Sequence, residues 1–185
     1  LGPAQVDGFK AWLRDANIID NKNKFTSFGN VLKDIYTDAP ELSWEFLLTN
    51  LSYNSFIVNW FVNNVKPMQT YDKKTIVDTI SDVNTSAPIR TIENAVTALL
   101  QTFKYSPLGE QFNFAIDNKP SYVRQEYSEL SSIGLAYSIY RFAEQLNTKS
   151  LRVSDFYQDN LHNSPVALFA LSKESLEKGL RTLNS

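Results

Sequence analysis

The chain has 185 residues, a hydrophobic content of 43%, an aromatic content of 13% and a formal net charge of −2, which describe a folded chain and exclude an intrinsically disordered one. It contains no cysteine and one histidine, His162, so thiolate metal sites, iron–sulfur clusters, disulfides and cysteine nucleophiles are excluded within these residues. The slightly negative charge also argues against an overall positive field that would attract a nucleic-acid backbone.

The sequence shows neither a signal-peptide pattern nor a stretch that could span a membrane. We find no signal-peptide pattern, and asparagines interrupt the longest apolar stretch, residues 56–65, before it reaches the length of a membrane helix. We therefore expect a cytoplasmic protein with no membrane contact. The sequence begins Leu1-Gly2-Pro3-Ala4 without a methionine. Processing would explain this start, but we favour a fragment excised from a longer protein.

The N-terminal segment is predicted to be a helix, a short extended arm and a second helix. Apolar residues from Val6 to Ala16 recur on one helical face, and Thr26 or Ser27 is the natural N-cap of the helix that follows. The order helix, "ANII", polar turn, "KFTSFG", helix recurs in small winged-helix domains. An ordinary helical hairpin explains the same pattern equally well.

Two helices rich in aromatic residues are predicted next. Asn59 and Asn63 are expected on the water-facing side of the second of these helices. A dense set of large aromatic side chains is far more often core than a ligand cage. The apolar residues with helical spacing are Trp44, Leu47, Leu48 and Leu51, followed by Phe56, Ile57, Trp60 and Phe61.

The stretch from Thr70 to Phe103 is predicted to form a helix-turn-helix, with Thr70 or Asp72 as the cap of its first helix. The second helix has one apolar face, on which we place Ile89. Its opposite face carries polar side chains at i, i+4, i+7 and i+11, namely Arg90, Asn94, Thr97 and Gln101. This face is either a nucleic-acid reader or the solvated side of a core helix.

A β-hairpin is predicted directly after this helix, where the wing of a winged helix would lie. Residues 112–116 and 121–127 alternate in polarity around the turn at 117–120. Lys119 in this turn and Arg124 in the second strand join the helix residues as candidate nucleic-acid contacts. Arginine is the side chain that reads guanine, and asparagine and glutamine read adenine.

The charge around these candidates favours protein docking at least as strongly as nucleic-acid binding. Lys73, Lys74, Lys119 and Arg124 could surround the helix, but neighbouring acidic residues largely cancel them. Phosphate contacts supply most of the affinity of DNA-binding proteins, and few cations are present to make them.

The remaining third is predicted to be helical, with residues 164–171 ambiguous between helix and strand. The predicted fold is therefore mainly α with a small β-hairpin, in which helices flank a winged-helix-like centre. We divide the chain into residues 1–66, an N-terminal helical region with the tryptophan-rich hairpin, residues 67–130, the winged-helix-like region, and residues 131–185, the C-terminal helical region. The three segments are expected to form one compact unit.

The sequence contains no recognisable catalytic motif. The six glycines form no phosphate-binding loop. His162 lies in a polar loop before a proline and has no histidine partner, and Asp155 and Asp159 form an i, i+4 pair with no third ligand. We expect no catalytic residue, no metal and no cofactor in this chain.

A resemblance covers most of the chain. The stretches "LGPAQVDGFKAWLRDANIID", "KFTSFGNVLKDI", "ELSWEFLLTNLSYNSFIVNWFVNN" and "TIENAVTALLQTF" resemble a bacterial winged-helix-type module, the C-terminal portion of large phosphoadenosine phosphosulfate (PAPS) reductase-like proteins. They are also similar to an uncharacterised family encoded beside DNA phosphorothioation systems. The nucleotide loop and the cluster-binding cysteines of those enzymes do not occur here, so the resemblance implies an accessory part whose chemistry lies upstream.

These observations predict a non-catalytic accessory domain of a PAPS reductase-like protein of sulfur metabolism or DNA modification. Its partner would be the catalytic domain of the same polypeptide, another protein or nucleic acid, and no oligomeric state is predicted. The alternative is a stand-alone winged-helix DNA-binding regulator, which requires a basic rim around Arg90, Asn94, Thr97 and Gln101. The third hypothesis is a small enzyme, which requires a deep polar pocket lined by titratable groups with shifted pKa values.

Overall fold

The structure is a computed structural model, and it describes residues 3–111, 114–116, 121–158 and 161–184. It is mainly helical with one small sheet, as the sequence predicts. The helices, in chain order, are α1 (Pro3–Asp15), α2 (Ser27–Asp38), α3 (Pro40–Asn54), α4 (Phe56–Asn64), α5 (Lys73–Val83), α6 (Ile89–Tyr105), α7 (Pro107–Gln111), α8 (Ser132–Gln145), α9 (Pro165–Phe169) and α10 (Lys173–Leu183). The strands are β1 (Thr70–Asp72), β2 (Phe114–Ile116) and β3 (Ser121–Arg124), and a 3-10 helix spans Val153–Tyr157.

The centre of the chain has the order of a winged helix. Helix α4 is followed by β1, the packed pair α5 and α6, the short helix α7, and the antiparallel strands β2 and β3. The sheet order is β1-β3-β2, with Tyr71 opposite Tyr122 and Ala115 opposite Val123. The predicted hairpin is confirmed, but its second strand ends at Arg124 rather than at Tyr127. The predicted turn at 117–120 lies outside the described residues.

Two predicted helix caps are confirmed. The Thr26 hydroxyl accepts a hydrogen bond from the Gly29 amide at 2.9 Å, and the Asp72 carboxylate accepts one from the Thr75 amide at 2.7 Å. Each bond satisfies one of the amide groups that lack a partner at a helix start. A Cβ atom at Gly29 would lie 2.2 Å from the Ile18 carbonyl oxygen, so glycine permits α2 to pack against the extended arm.

Buried apolar side chains from all three predicted segments form a single hydrophobic core. Leu48 and Leu51 come from α3, Val96 from α6 and Phe142 from α8, and all four are fully buried. The Phe61 and Phe103 rings join α4 to α6 with a centroid distance of 4.9 Å. The core therefore fixes the winged-helix centre against the helices before and after it. No helix in the described part of the chain is both long enough and apolar enough to cross a bilayer.

A polar junction connects α4 to the loop before α9. We call it the Asn163 junction and define it as Asn59, Asn63, Gln145 and Asn163. The Asn63 amide nitrogen donates to the Asn163 side-chain oxygen at 2.8 Å, and the Asn163 backbone amide donates to the Asn63 side-chain oxygen at 2.8 Å. Asn163 has a φ of 63°, a conformation that asparagine tolerates better than most residues. The prediction that Asn59 and Asn63 face water is therefore wrong.

Candidate functional site

Helix α6 presents a row of polar side chains to solvent on its outer face. Arg90, Asn94 and Gln101 are exposed, and none of them makes a side-chain hydrogen bond or ion pair within the described part of the chain. We call these three residues the α6 row. Their spacing places them along one side of the helix, one to two turns apart. They are the predicted contacts that the structure brings together on an accessible surface.

Thr97 belongs to the same side of α6 but is half-buried. Its hydroxyl donates a 2.6 Å hydrogen bond to the Glu93 carbonyl oxygen, one turn back in the helix. This bond commits the only hydroxyl proton to the helix itself. Thr97 can therefore accept a hydrogen bond from a partner but is poorly placed to donate one.

The opposite face of α6 fixes the helix in the core. Its buried residues are Ile92, Val96, Leu99, Leu100 and Phe103. Ile89 was predicted on this face, but the structure leaves it 54% exposed because it is the first residue of the helix and follows the turn at Pro88.

Arg124 is not a surface contact, and this part of the prediction is wrong. The residue is only 3% exposed, and its side chain lies against backbone carbonyls of α4 and α9. One terminal nitrogen donates to the carbonyl oxygens of Val62 at 2.6 Å and Val65 at 3.3 Å. The other donates to the carbonyls of Ala167 and Leu168. Burial lowers the pKa of Arg124 to about 9, and its guanidinium joins the winged-helix centre to the C-terminal helices.

Lys119, the predicted contact in the wing, lies outside the described residues. The charged residues from β1 to the end of α6 are equally divided between the two signs, with Lys73, Lys74, Arg90 and Lys104 against Asp72, Asp78, Asp82 and Glu93. The carboxylates of Asp78 and Asp82 are exposed on α5, the helix that crosses the phosphate backbone in a helix-turn-helix complex. The described surface around the α6 row therefore has no excess of positive charge.

Apolar side chains are exposed at the ends of the two central helices. Tyr105, the last residue of α6, is 76% exposed, and the Lys104 ammonium lies 5.2 Å from the centroid of its ring. Val83 at the end of α5 and Ile89 at the start of α6 are also exposed. Exposed aromatic and aliphatic side chains are contacts that a protein partner can use and that a phosphate backbone does not require.

The buried carboxylate of Glu45 is the strongest candidate for acid–base chemistry among the described residues, but its contacts are structural. Its oxygens accept hydrogen bonds from the Tyr127 hydroxyl at 3.3 Å, from the Ser131 amide at 3.0 Å and from the Ser131 hydroxyl. Ser131 also caps α8 by accepting from the Gly134 amide. Burial raises the pKa of Glu45, and the hydrogen bonds from Ser131 and Tyr127 partly oppose this effect.

Glu45 joins α3 to the start of α8 through these hydrogen bonds. A Cβ atom at Gly134 would lie 2.0 Å from one of its oxygens, so the carboxylate fills the space that a side chain there would need. No cluster of three or more potential metal ligands occurs in residues 3–111, 114–116, 121–158 and 161–184. His162 is exposed in the loop before α9.

Comparison of the chain with family models, with curated proteins and with solved structures finds no match. The resemblance to PAPS reductase-like proteins therefore stays a prediction from the sequence.

Proposed function

We propose that this chain is a non-catalytic accessory module that binds a macromolecular partner through the α6 row. The proposal rests on a contrast between the two faces of α6. The apolar face is buried in the core, whereas the side chains of the α6 row on the outer face make no hydrogen bond or ion pair with another described residue. Elsewhere the same residue types are used internally, at Asn163 and Arg124 among others. The side chains of Arg90, Asn94 and Gln101 make no hydrogen bond or ion pair with another described residue, and their donors and acceptors are available to a partner.

The partner is a protein surface. Balanced charge on α5 and α6 removes the phosphate attraction on which nucleic-acid affinity depends. Tyr105, exposed at the end of α6, provides apolar contact area, and Arg90 is of a residue type that is enriched, together with tyrosine and tryptophan, at interface hot spots. The resemblance described above names the catalytic domain of a PAPS reductase-like protein, in sulfur metabolism or DNA modification, as the first partner to test.

The test is a titration of a recombinant PAPS reductase-like catalytic domain against this chain, followed by calorimetry. The triple variant Arg90→Ala, Asn94→Ala, Gln101→Ala should weaken binding at least about tenfold, since interface hot spots cost about 2 kcal/mol or more each. Arg181→Ala, which removes an exposed arginine from α10, is the matched control and should bind like the parent chain. Equal binding by the triple variant would contradict the assignment to the α6 row.

Binding of duplex DNA is the second candidate function, as in a stand-alone winged-helix regulator. It is favoured by the position of the α6 row on the second helix of a helix-turn-helix that is followed by a hairpin. Anisotropy of labelled duplex and single-stranded DNA at about 50 and 200 mM salt tests it, because phosphate contacts give a steep salt dependence. Salt-sensitive binding that Arg90→Ala abolishes would favour this function over protein docking.

A further inference from the structure

A pocket of about 480 Å³ lies between the winged-helix centre and the C-terminal helices, away from the α6 row. The link between α4 and β1 forms one side, where Lys66 and Gln69 line it. The 3-10 helix, the loop before α9 and α9 itself form the other side. Its volume is within the usual range for small-ligand sites, which often lie where two parts of a fold meet.

The walls of the pocket are partly apolar. Phe156, Leu161, Val166 and Leu171 line it on the C-terminal side. Leu161 and Val166 are half-buried, so part of their apolar surface remains in contact with solvent. Transfer of an apolar group from water onto these side chains would be favourable.

The charged side chains that line this pocket are basic. Lys66 is exposed at its mouth and forms no ion pair with another described residue. Arg124 lines the pocket from beneath, where the carbonyl oxygens of Val62 and Leu168 hold its guanidinium. His162 adds an exposed imidazole. None of the described lining residues is acidic, and Asp159 lies outside the described residues.

We infer that this pocket binds a small organic anion, with a phosphate or carboxylate group at Lys66 and an apolar body against Leu161 and Val166. The lysine ammonium attracts the anion, and the apolar walls distinguish an organic anion from inorganic phosphate. The pocket would be a site separate from the proposed docking surface, because none of its lining residues belongs to α5 or α6. A ligand held there would contact both the winged-helix centre and the C-terminal helices.

Calorimetric titration with 2-naphthyl phosphate, 2-naphthoate and neutral 2-naphthol tests this inference. At low salt we expect at least one of the two anions to bind with a Kd of about 1 mM or tighter, as is usual for a ligand of this size. Naphthol should bind at least about fivefold more weakly, because it lacks the charge that Lys66 pairs with. Comparison of the phosphate with the carboxylate then shows which anionic group the site prefers.

Two lysine variants locate the binding. Lys66→Glu should weaken the preferred anion about tenfold, which is the effect of a charge reversal beside a partly exposed ion pair. Lys33→Glu is the control, since Lys33 is an exposed lysine that lines the separate apolar pocket between α2 and α3. Methyl NMR should show shifts at Leu161, Val166 and Leu171. Absence of binding by both anions, equal binding of naphthol, or no effect of Lys66→Glu would overturn the inference.

Discussion

The Asn163 junction and the α6 row use the same kinds of side chain in opposite ways. At the junction, Asn63 and Asn163 exchange hydrogen bonds at 2.8 Å and are shielded from most solvent. In the α6 row, Asn94 and Gln101 project into solvent and form no bond with another described residue. Asn59 and Asn63 of the junction lie on α4, and the row lies on α6, so a helix contributes polar side chains in both places. The difference teaches that a polar helix face becomes a candidate binding surface only after contacts from distant parts of the chain are excluded.

If buried polar groups hold the fold together, the largest loss of stability should follow substitution of Arg124. Arg124→Met keeps much of the apolar volume but removes every hydrogen bond to the carbonyls of Val62, Val65, Ala167 and Leu168. We expect the free energy of unfolding to fall by about 3–5 kcal/mol, because buried carbonyl groups are left without donors. Urea denaturation measures it. A loss below about 1 kcal/mol would show that water replaces the guanidinium.

Glu45 is a buried carboxylate that, like the Asn163 junction, forms hydrogen bonds inside the fold. Glu45→Ala should lower the free energy of unfolding by about 2–3 kcal/mol, since it removes the acceptor for Ser131 and Tyr127 and leaves a cavity. Glu45→Gln keeps the shape and should cost less. Urea denaturation at neutral pH should rank the two variants in this order.

Glu45 also predicts a pH dependence. Because burial raises the pKa of Glu45 in the folded chain, the folded state binds its proton more tightly than the unfolded state does. The stabilisation from Glu45 is therefore fully present below the pKa that this group has in the unfolded chain. It is lost as the pH rises through the higher pKa that the group has in the folded chain. Urea denaturation of the parent chain between these two pKa values should give a free energy of unfolding that falls as the pH rises. Glu45→Gln, which lacks the titrating carboxyl group, should not show this contribution. Identical pH profiles would contradict the assignment.

The Asn163 junction should be sensitive to a single truncation. Asn63→Ala removes the side-chain oxygen that accepts from the Asn163 amide and the nitrogen that donates to the Asn163 side chain. We expect a loss of about 2 kcal/mol in the free energy of unfolding, the usual consequence of leaving buried polar groups unsatisfied. Asn64→Ala is the control, because within the part of the chain that the structure describes its amide bonds only to the Trp60 carbonyl oxygen of the same helix. Equal losses in the two variants would mean that the junction adds nothing.

The smallest change in stability is expected in the α6 row. The triple variant Arg90→Ala, Asn94→Ala, Gln101→Ala removes no hydrogen bond or ion pair of the described residues and introduces the best helix former at three exposed positions. The free energy of unfolding should therefore stay within about 0.5 kcal/mol of the parent chain or rise slightly. Urea denaturation provides the value. A loss of 2 kcal/mol or so would place the row among the structural contacts instead.

Periodicity and cap chemistry predicted much of the architecture. Helical spacing identified the apolar face of α6 apart from Ile89, and the caps at Thr26 and Asp72 follow from the side-chain oxygen that a helix start requires. Strand β1 was missed because its three residues are too few for an alternating pattern, and its pairing with β3 depends on residues about fifty positions away.

The candidate site was predicted only in part, for the same reason. Arg90, Asn94 and Gln101 are exposed because helical spacing alone separates them from the core face. Arg124 is buried because β3 is the central strand of the sheet and its guanidinium lies against backbone carbonyls of α4 and α9. Burial of this kind is determined by segments far apart in the chain, and the local alternation of residues 121–127 does not contain that information.

The most direct test of the central claim compares partner affinity and stability in the same two variants. Calorimetry with a recombinant PAPS reductase-like catalytic domain and urea denaturation would be applied to the α6 triple variant and to Asn63→Ala. The account predicts that the triple variant loses binding and keeps its stability, whereas Asn63→Ala loses stability and, at a temperature where it remains folded, keeps its binding. Unchanged affinity in the triple variant, or loss of its stability, would contradict the claim that α6 carries a binding surface.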